Sequence, residues 1–354
     1  MTTATFDRPT DSTAATAGVQ TMKAIVQEEY GDAPEGVLRL ADVARPTIGD
    51  DEILVRVGAA SVDRGTWHMM TGLPYPLRAA GFGLRRPKAP NPGRCVAGTV
   101  ESVGKDVTEF RPGDEVYGTC GPPMKAGSYG SFAEYVRALA GRLALKPANL
   151  SFEQAAAVPV SGLTALQAVR DGARVQSGQK VLITGASGGV GTFAVQIAKA
   201  FGAEVTGVCS TAKLDLVRSL GADHVLDYTR DDFADGEHHY DTIIDIGGNS
   251  PLSRLRRALT PKGTLVIVGG ETGGRWLDGT DRLFRAKLLS PLVGQKLGTV
   301  SVSENAEDLA VLRDLLESGK IVPAIDRTYP LSETPAAIRY VQEGHARGKV
   351  VITV

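Results

Sequence analysis

The chain has 354 residues, enough for two domains, with 42% hydrophobic and 22% charged residues, ordinary proportions for a protein that buries real cores. Its formal net charge of −1 sets up no global field toward nucleic acid or an anionic membrane. No apolar run approaches the ~20 residues needed to span a bilayer, and three scattered cysteines, Cys95, Cys120 and Cys209, argue against a disulfide framework and for reduced thiols in a cytoplasmic protein.

Residues 1–21 are rich in Thr and Ala, lack the apolar stretch of a signal peptide and read as a disordered tail. Met22 to Val26 opens a strand. As far as Pro147 the pattern stays rich in β-runs (Glu52 to Val57, Val96 to Val103, Glu115 to Tyr117) and in turns such as Arg111-Pro112-Gly113-Asp114. Pro74 to Gly93, full of Pro, Gly and Arg, reads as a long functional or mobile loop. The period changes at Ser151, an N-cap for a helix. Strands at Lys180 to Thr184, Glu204 to Cys209, His224 to Leu226, Tyr240 to Asp245 and Thr264 to Val268 then alternate with helices at Gly191 to Phe201, Lys213 to Leu220 and Leu252 to Leu259. This alternation predicts a parallel sheet with helices on both faces.

The segment Leu283 to Leu297 mixes apolar and basic residues around Pro291 and fits a substrate lid, a subunit contact, a membrane-touching element or plain packing. Helices at Ala306 to Ser318 and near Pro335 to Gln342, a strand near Pro323 to Tyr329 and a closing strand Lys349 to Val354 belong with the β-rich front. The division is then a tail at 1–21, a first domain at 22–148 completed by 300–354, and a second at 149–299 inserted between them.

The most informative motif is Thr184-Gly185-Ala186-Ser187-Gly188-Gly189-Val190-Gly191, which follows an apolar strand and opens a helix. Small residues let backbone amides approach a pyrophosphate, and the helix N-terminus sets partial positive charge against it. Ala186 stands where the strict fingerprint has its first Gly, while Gly188 and Gly191 hold the other two places. At the end of the next strand, Cys209-Ser210-Thr211-Ala212-Lys213 lacks the acid that bonds a free ribose 2′-hydroxyl. Ser210 and Lys213 can instead meet a 2′-phosphate, and Tyr228 ends the following strand within reach of the adenine, so NADPH is the expected cofactor. The same glycine pattern marks short-chain dehydrogenases, but those carry it near the chain start with a Tyr-x-x-x-Lys pair, and no Tyr here has Lys four positions later.

Further pieces follow in order: Met22-Lys23-Ala24, Ala97-Gly98-Thr99-Val100-Glu101, Pro112-Gly113-Asp114-Glu115-Val116, Gly130-Ser131-Phe132-Ala133-Glu134-Tyr135, Ala155-Ala156-Ala157-Val158-Pro159, Leu220-Gly221-Ala222-Asp223 and Gly348-Lys349-Val350-Val351. Together they resemble the medium-chain dehydrogenase/reductase superfamily, in its zinc-free quinone-oxidoreductase-like branch, over nearly all of Met22 to Val354. The resemblance implies an α/β fold: a GroES-like β-rich catalytic domain plus a doubly wound Rossmann domain. It also implies a site in the cleft between them and a homodimer through the Rossmann sheet edges. Zinc-dependent relatives carry a Cys where Asp63 stands and His-Glu where Arg94-Cys95 stand, and the four-Cys lobe is missing. Five His and three scattered Cys supply neither zinc set, so no metal is expected.

The resemblance places Thr164 near the nicotinamide and Tyr75 as proton donor or orienter; their plainer roles are a helix-start Thr and a loop aromatic. Asp63 stands where zinc-free relatives often have Asn, a contact to nicotinamide ribose or substrate. His68, beside Trp67, reads as packing. Gly247, Val268 and Gly269, near later strand ends, are counted among the cofactor contacts, and Lys349 is expected to close over the cofactor unless it is a β-edge charge. The reading is a zinc-independent, NADPH-dependent reductase of a quinone or another conjugated carbonyl. The alternatives are an enoyl-thioester or natural-product enone reductase, for which Arg78, Arg85, Arg86 and Lys88 offer a phosphate site, and a non-catalytic NADPH-binding scaffold or redox sensor.

Overall fold

The computed structural model describes residues 20–120, 130–248, 250–269, 274–276 and 279–354. The front of the chain gives β1 (Thr21–Gln27), α1 (Pro34–Val37), β2 (Leu38–Ala44), β3 (Glu52–Val62), α2 (Arg64–Thr71), β4 (Cys95–Val103), β5 (Glu115–Thr119), β6 (Tyr135–Leu139) and β7 (Leu143–Leu145). The middle gives α3 (Phe152–Ala156), α4 (Pro159–Gln167), β8 (Lys180–Thr184), α5 (Gly189–Ala200), β9 (Glu204–Cys209), α6 (Leu214–Ser219), β10 (His224–Asp227), β11 (Tyr240–Asp245), α7 (Leu252–Ala258), β12 (Leu259–Ile267), α8 (Thr280–Leu289) and β13 (Lys296–Thr299). The tail adds α9 (Ala306–Glu317), β14 (Ile325–Pro330), α10 (Thr334–Gln342) and β15 (Lys349–Thr353). β1 begins one residue before the expected Met22, because Thr21 already pairs with Ala44; residues 1–19 of the expected tail lie outside the described residues.

β8 to β13 form one parallel sheet in the order β10-β9-β8-β11-β12-β13, the doubly wound arrangement whose direction reverses between β8 and β11. Its central strands are apolar runs such as Val181-Leu182-Ile183, buried on both faces because helices cover both. The other large sheet runs β14-β15-β3-β4-β5-β7, with β6 on β3, so the chain's last strand lies between β14 and β3. Hence Lys349, at the start of β15, is an interior-strand residue and not a charge on a sheet edge.

The two units share a core. Ala59, Ala97 and Tyr117 of the antiparallel sheet pack in one cluster with Leu163, Phe193 and Val181 of the nucleotide-side unit and with Leu309 and Leu312 of α9. Tyr117 donates its hydroxyl to the carbonyl of Leu309 at 2.6 Å, and burial raises its pKa. The join is apolar on this side, which leaves the crevice at the carboxyl ends of β8 and β11 as the ligand face.

Two features depart from the sequence-based expectation. Leu283 to Leu297 divides into most of α8, a short turn and the start of a sixth parallel strand, β13, leaving Phe284 65%, Leu288 76% and Leu292 80% exposed. The β-rich front also holds a helix, α2, that begins at Arg64 and stops at Gly72, whose φ of 62° lies in the left-handed region.

Candidate active site

The glycine turn folds as a strand-to-helix hinge. Gly185 has φ of 67°, and a Cβ there would lie 2.9 Å from the amide nitrogen of Gly247, so two loops meet backbone to backbone. Not every amide of the motif is available. Ala186 donates its N–H to Val208 and Gly188 donates to Gly185, at 3.1 and 3.0 Å, so neither amide faces a phosphate, as their place in the motif had implied. Gly189, Val190 and Gly191 head the 12-residue α5, where N–H groups have no intrahelical acceptor. Gly188, the N-cap, keeps the approach open: a Cβ there would meet only the Gly185 carbonyl, at 3.4 Å. Ser187 is buried, and its carbonyl accepts the Gly348 N–H at 2.9 Å, which seats the end of the chain behind the turn. This is a cradle that fits a dinucleotide pyrophosphate.

At the end of β9, where the sequence predicts the adenosine, Ser210 is half-buried and Tyr228 is 61% exposed, its N–H on the Cys209 carbonyl. Lys213 is less free than its sequence position implies. Its ammonium donates to the carbonyls of Gly344 and Ala346 at 3.0 and 2.8 Å. Burial, helped by the charge of Arg347 and opposed by Asp326, lowers its pKa. Arg347 is thus a second cation at this end, invisible in the sequence because 134 positions separate it from Lys213. The pocket also has a carboxylate after all. Asp227 pairs in register with Cys209, but one of its oxygens takes the Thr211 hydroxyl and the other takes the N–H and hydroxyl of Thr229, at 3.0 and 2.7 Å.

At the carboxyl ends of β8 and β11 lies a buried network. Asp245 accepts the Thr184 hydroxyl at 2.7 Å and pairs with Arg282 of α8, which also donates to the Gly248 carbonyl. The Thr184 hydroxyl accepts the Gly247 N–H at 3.1 Å, and Val268 and Gly269 both donate N–H groups to the Asp245 carbonyl. Gly247, Val268 and Gly269 therefore line one face with their backbones already tied down. Asp245 and Arg282 were missed in the sequence, where an acid ending a strand and a basic helix residue carry no special signal.

The opposite wall comes from the antiparallel sheet. Lys349 is 2% exposed and donates to the Val62 carbonyl at 3.1 Å and the Ser161 hydroxyl at 3.2 Å. Its side chain packs on the cradle, since a Cβ on Gly189 would lie 3.0 Å from Lys349 Cδ and 3.3 Å from Ser161 Oγ. Asp63 is buried as the N-cap of α2, where Oδ1 accepts the Thr66 N–H at 3.0 Å and Oδ2 the Cys95 thiol at 3.8 Å. This gives Asp63 a structural role, the cap of α2, that the sequence reading had not assigned to it. Thr164 gives its hydroxyl to the Val160 carbonyl, 2.7 Å away within its own helix, and His68 bonds the Leu73 carbonyl at 2.7 Å, the packing role expected of it. Tyr75 meets the segment that precedes α8: its N–H donates to the Arg275 carbonyl at 2.9 Å, and its ring sits edge-on to Trp276 with centroids 5.3 Å apart.

Arg94 completes this wall. It pairs with Glu304, which follows β13 and also accepts the Arg142 guanidinium at 3.1 Å and the Thr119 hydroxyl at 2.9 Å. A zinc ion does not fit these residues. One carboxylate and one thiol face it together with the guanidinium of Arg94 and the ammonium of Lys349, where zinc needs three or four N, S or O ligands. Among the described residues the one grouping of ligand atoms is Asp235, Glu237 and His238, all exposed.

Burial raises the pKa of every thiol: Cys95 lies wholly inside, Cys120 is pushed up to about 12 and Cys209 to about 11. Protonated thiols are poor nucleophiles, so iodoacetamide at about pH 8 should modify none of the three in the native protein and all three after unfolding. Mass spectrometry reads the result, and alkylation of native Cys120 would contradict it.

Residues 49–148 match the alcohol dehydrogenase GroES-like domain, and residues 220–352 match the family described as zinc-binding dehydrogenase. The 2-methylene-furan-3-one reductase of Solanum lycopersicum is 35% identical over 339 residues, which is 94% of this chain and 79% of that protein. The structure of a quinone oxidoreductase from Coxiella burnetii is 31% identical with a TM-score of 0.79, covering 95% of this chain and all of that one. A mycobacterial protein solved in complex with NADPH is 27% identical with a TM-score of 0.76 over 95% of this chain and 100% of that one. No helix among the described residues is long and apolar enough to cross a membrane. The GroES-like sheet, the doubly wound sheet with its glycine cradle and these full-length relatives agree: the chain belongs to the medium-chain dehydrogenase/reductase superfamily, as a quinone-oxidoreductase-like enzyme that uses a nicotinamide cofactor.

Proposed function

We propose that the protein is an NADPH-dependent reductase of quinones or other conjugated carbonyls that works without zinc. The observation that carries this reading is the wall of Asp63, Arg94, Cys95, Ser161 and Lys349: at the nicotinamide end it presents two cations where a metal would need ligands. NADPH, when bound, supplies a hydride. The chain supplies the rest. Gly189, Val190 and Gly191 hold the pyrophosphate by their amides, and Ser210, Lys213, Arg347 and Tyr228 receive the adenosine end, with Asp227 turned onto Thr211 and Thr229. Residues 149–299 form the nucleotide unit; 22–148 with 300–354 form the substrate side. The free edge of β13 beside exposed Leu288 and Leu292 supports a homodimer through the parallel sheets.

The enone chemistry of the tomato relative and the quinone chemistry of the Coxiella relative are one reaction class, hydride addition to an electron-poor conjugated system. Steady-state assays with quinones, enones and enoyl thioesters, each with NADPH and NADH, test the reading. Turnover with the first two, at least tenfold better with NADPH in kcat/KM, is expected, a difference of about 1.4 kcal/mol. Preference for enoyl thioesters would favour the carrier-bound alternative. Tight NADPH binding with no turnover of any acceptor would leave the scaffold reading.

Tyr75 is the proposed proton donor, with its ring fixed against Trp276. Tyr75→Phe keeps that packing and removes only the hydroxyl, so kcat should fall by about tenfold or more, short of the full general-acid effect because water can substitute. Wild-type kcat in this variant would remove Tyr75 from the reaction.

A further inference from the structure

The reduction proposed above puts negative charge on the acceptor's oxygen, and low-dielectric sites serve such reactions by aiming fixed donors at that oxygen. Most groups of the cleft wall are spent: Lys349 on Val62 and Ser161, Asp63 on Thr66 and Cys95, Thr164 on Val160. Arg94 differs. Among the described residues its ion pair, to Glu304, uses Nη2, and its side chain keeps 26% exposure. Nη1 lies 3.2 Å from the point where a Cβ on Gly65 would sit, and Asp63 Oδ1 lies 2.9 Å from the same point, so the guanidinium stands at the head of α2 beside the capping carboxylate. Glu304 is only 10% exposed and is itself fixed by Arg142 and Thr119, so the Arg94 fork is held from behind. Among the described groups paired here, Arg94, Arg142 and Lys349 stand against Asp63 and Glu304, an excess of positive charge that favours an oxygen turning anionic.

We infer that Arg94 is a catalytic residue, the donor that binds the acceptor's carbonyl oxygen as it becomes an enolate or quinol anion, and that Glu304 is its positioning residue. The inference rests on the carbonyl-reductase reading. The acceptor gains a hydride at its electrophilic carbon, and its π pair shifts to oxygen. That oxygen takes a charge-assisted N–H···O bond from Arg94, and a proton from Tyr75 or water completes the reduction while the dihydronicotinamide is oxidised. Arg94 gives up no proton, since an arginine does not deprotonate in a protein.

The test uses full-length wild type, Arg94→Met, Arg94→Ala, Arg94→Lys and Glu304→Gln, with 1,4-naphthoquinone and 3-penten-2-one as acceptors and calorimetry of NADPH binding alongside. Arg94→Met should lower kcat by about 10²- to 10³-fold, the effect of losing one oxyanion donor, while NADPH affinity stays within about threefold of wild type. Arg94→Lys should recover part of the loss, and Glu304→Gln should lose about tenfold because a neutral partner holds the fork less firmly. Guanidinium ion at sub-denaturing concentration should restore Arg94→Ala by at least about tenfold and leave wild type unchanged, which keeps the question open to test if a variant folds less well. Wild-type kcat in Arg94→Met, or no response of Arg94→Ala to guanidinium, overturns the assignment. A wild type that binds NADPH but reduces neither acceptor sinks the underlying reading, and the inference with it.

Discussion

Gly191→Ala is expected to lose nucleotide binding and about 3 kcal/mol of stability, whereas Gly188→Ala keeps its fold and loses affinity alone. The two positions belong to one motif but face opposite constraints. A Cβ on Gly191 would sit 2.1 Å from the Gly185 carbonyl oxygen and 2.8 Å from the backbone of Ala186, so the turn itself must open. Gly188 has φ of −84° and ψ of 176°, an extended conformation open to any residue, and its Cβ would touch only the Gly185 carbonyl at 3.4 Å. The methyl added there intrudes on the ligand and not on the protein. Thermal melts and NADPH calorimetry separate the cases: a lowered melting point and more than about 100-fold weaker binding for Gly191→Ala, an unchanged melting point and about tenfold weaker binding for Gly188→Ala. Equal behaviour of the two would contradict the turn geometry.

Lys349→Met should cost about 2 kcal/mol, although the change preserves length. The ammonium is inside, and its partners are a main-chain carbonyl and a hydroxyl, Val62 and Ser161. Removing it takes a charged donor from the buried Val62 carbonyl and the Ser161 hydroxyl, a loss of about 1–3 kcal/mol. It also removes positive charge from the wall that buries Asp63. NADPH binding should weaken several-fold as well, because Lys349 packs on Gly189 and the adjoining Gly348 holds Ser187. Unchanged stability on urea unfolding would mean the ammonium is no strut between the units.

The parallel sheet was legible wherever its strands are buried on both faces. Lys180 to Thr184, Glu204 to Cys209 and Tyr240 to Asp245 read as apolar runs because helices cover both sides. β13 escaped because Lys296-Leu297-Gly298-Thr299 is short, edge-placed and half-exposed, and one glycine interrupts it. α2 escaped for a different reason. Gly65, Thr66, Trp67 and His68 are indifferent helix formers, and the helix rests on its Asp63 cap and its stop at Gly72. The cap signal was present, but the resemblance directed Asp63 toward the ligand. In the cradle, the glycine spacing marked the place and not which amides stay free. The Arg94–Glu304 pair spans 210 positions, and no local pattern foretells a contact of that range.

Metal-free hydride transfer to a conjugated carbonyl is open to a direct assay: NADPH absorbance followed with 1,4-naphthoquinone after exhaustive chelation, with zinc confirmed below about a tenth of an equivalent. The expected result is turnover equal to that of untreated protein and unmoved by added zinc. Activity that disappears on chelation and returns with stoichiometric zinc would contradict it.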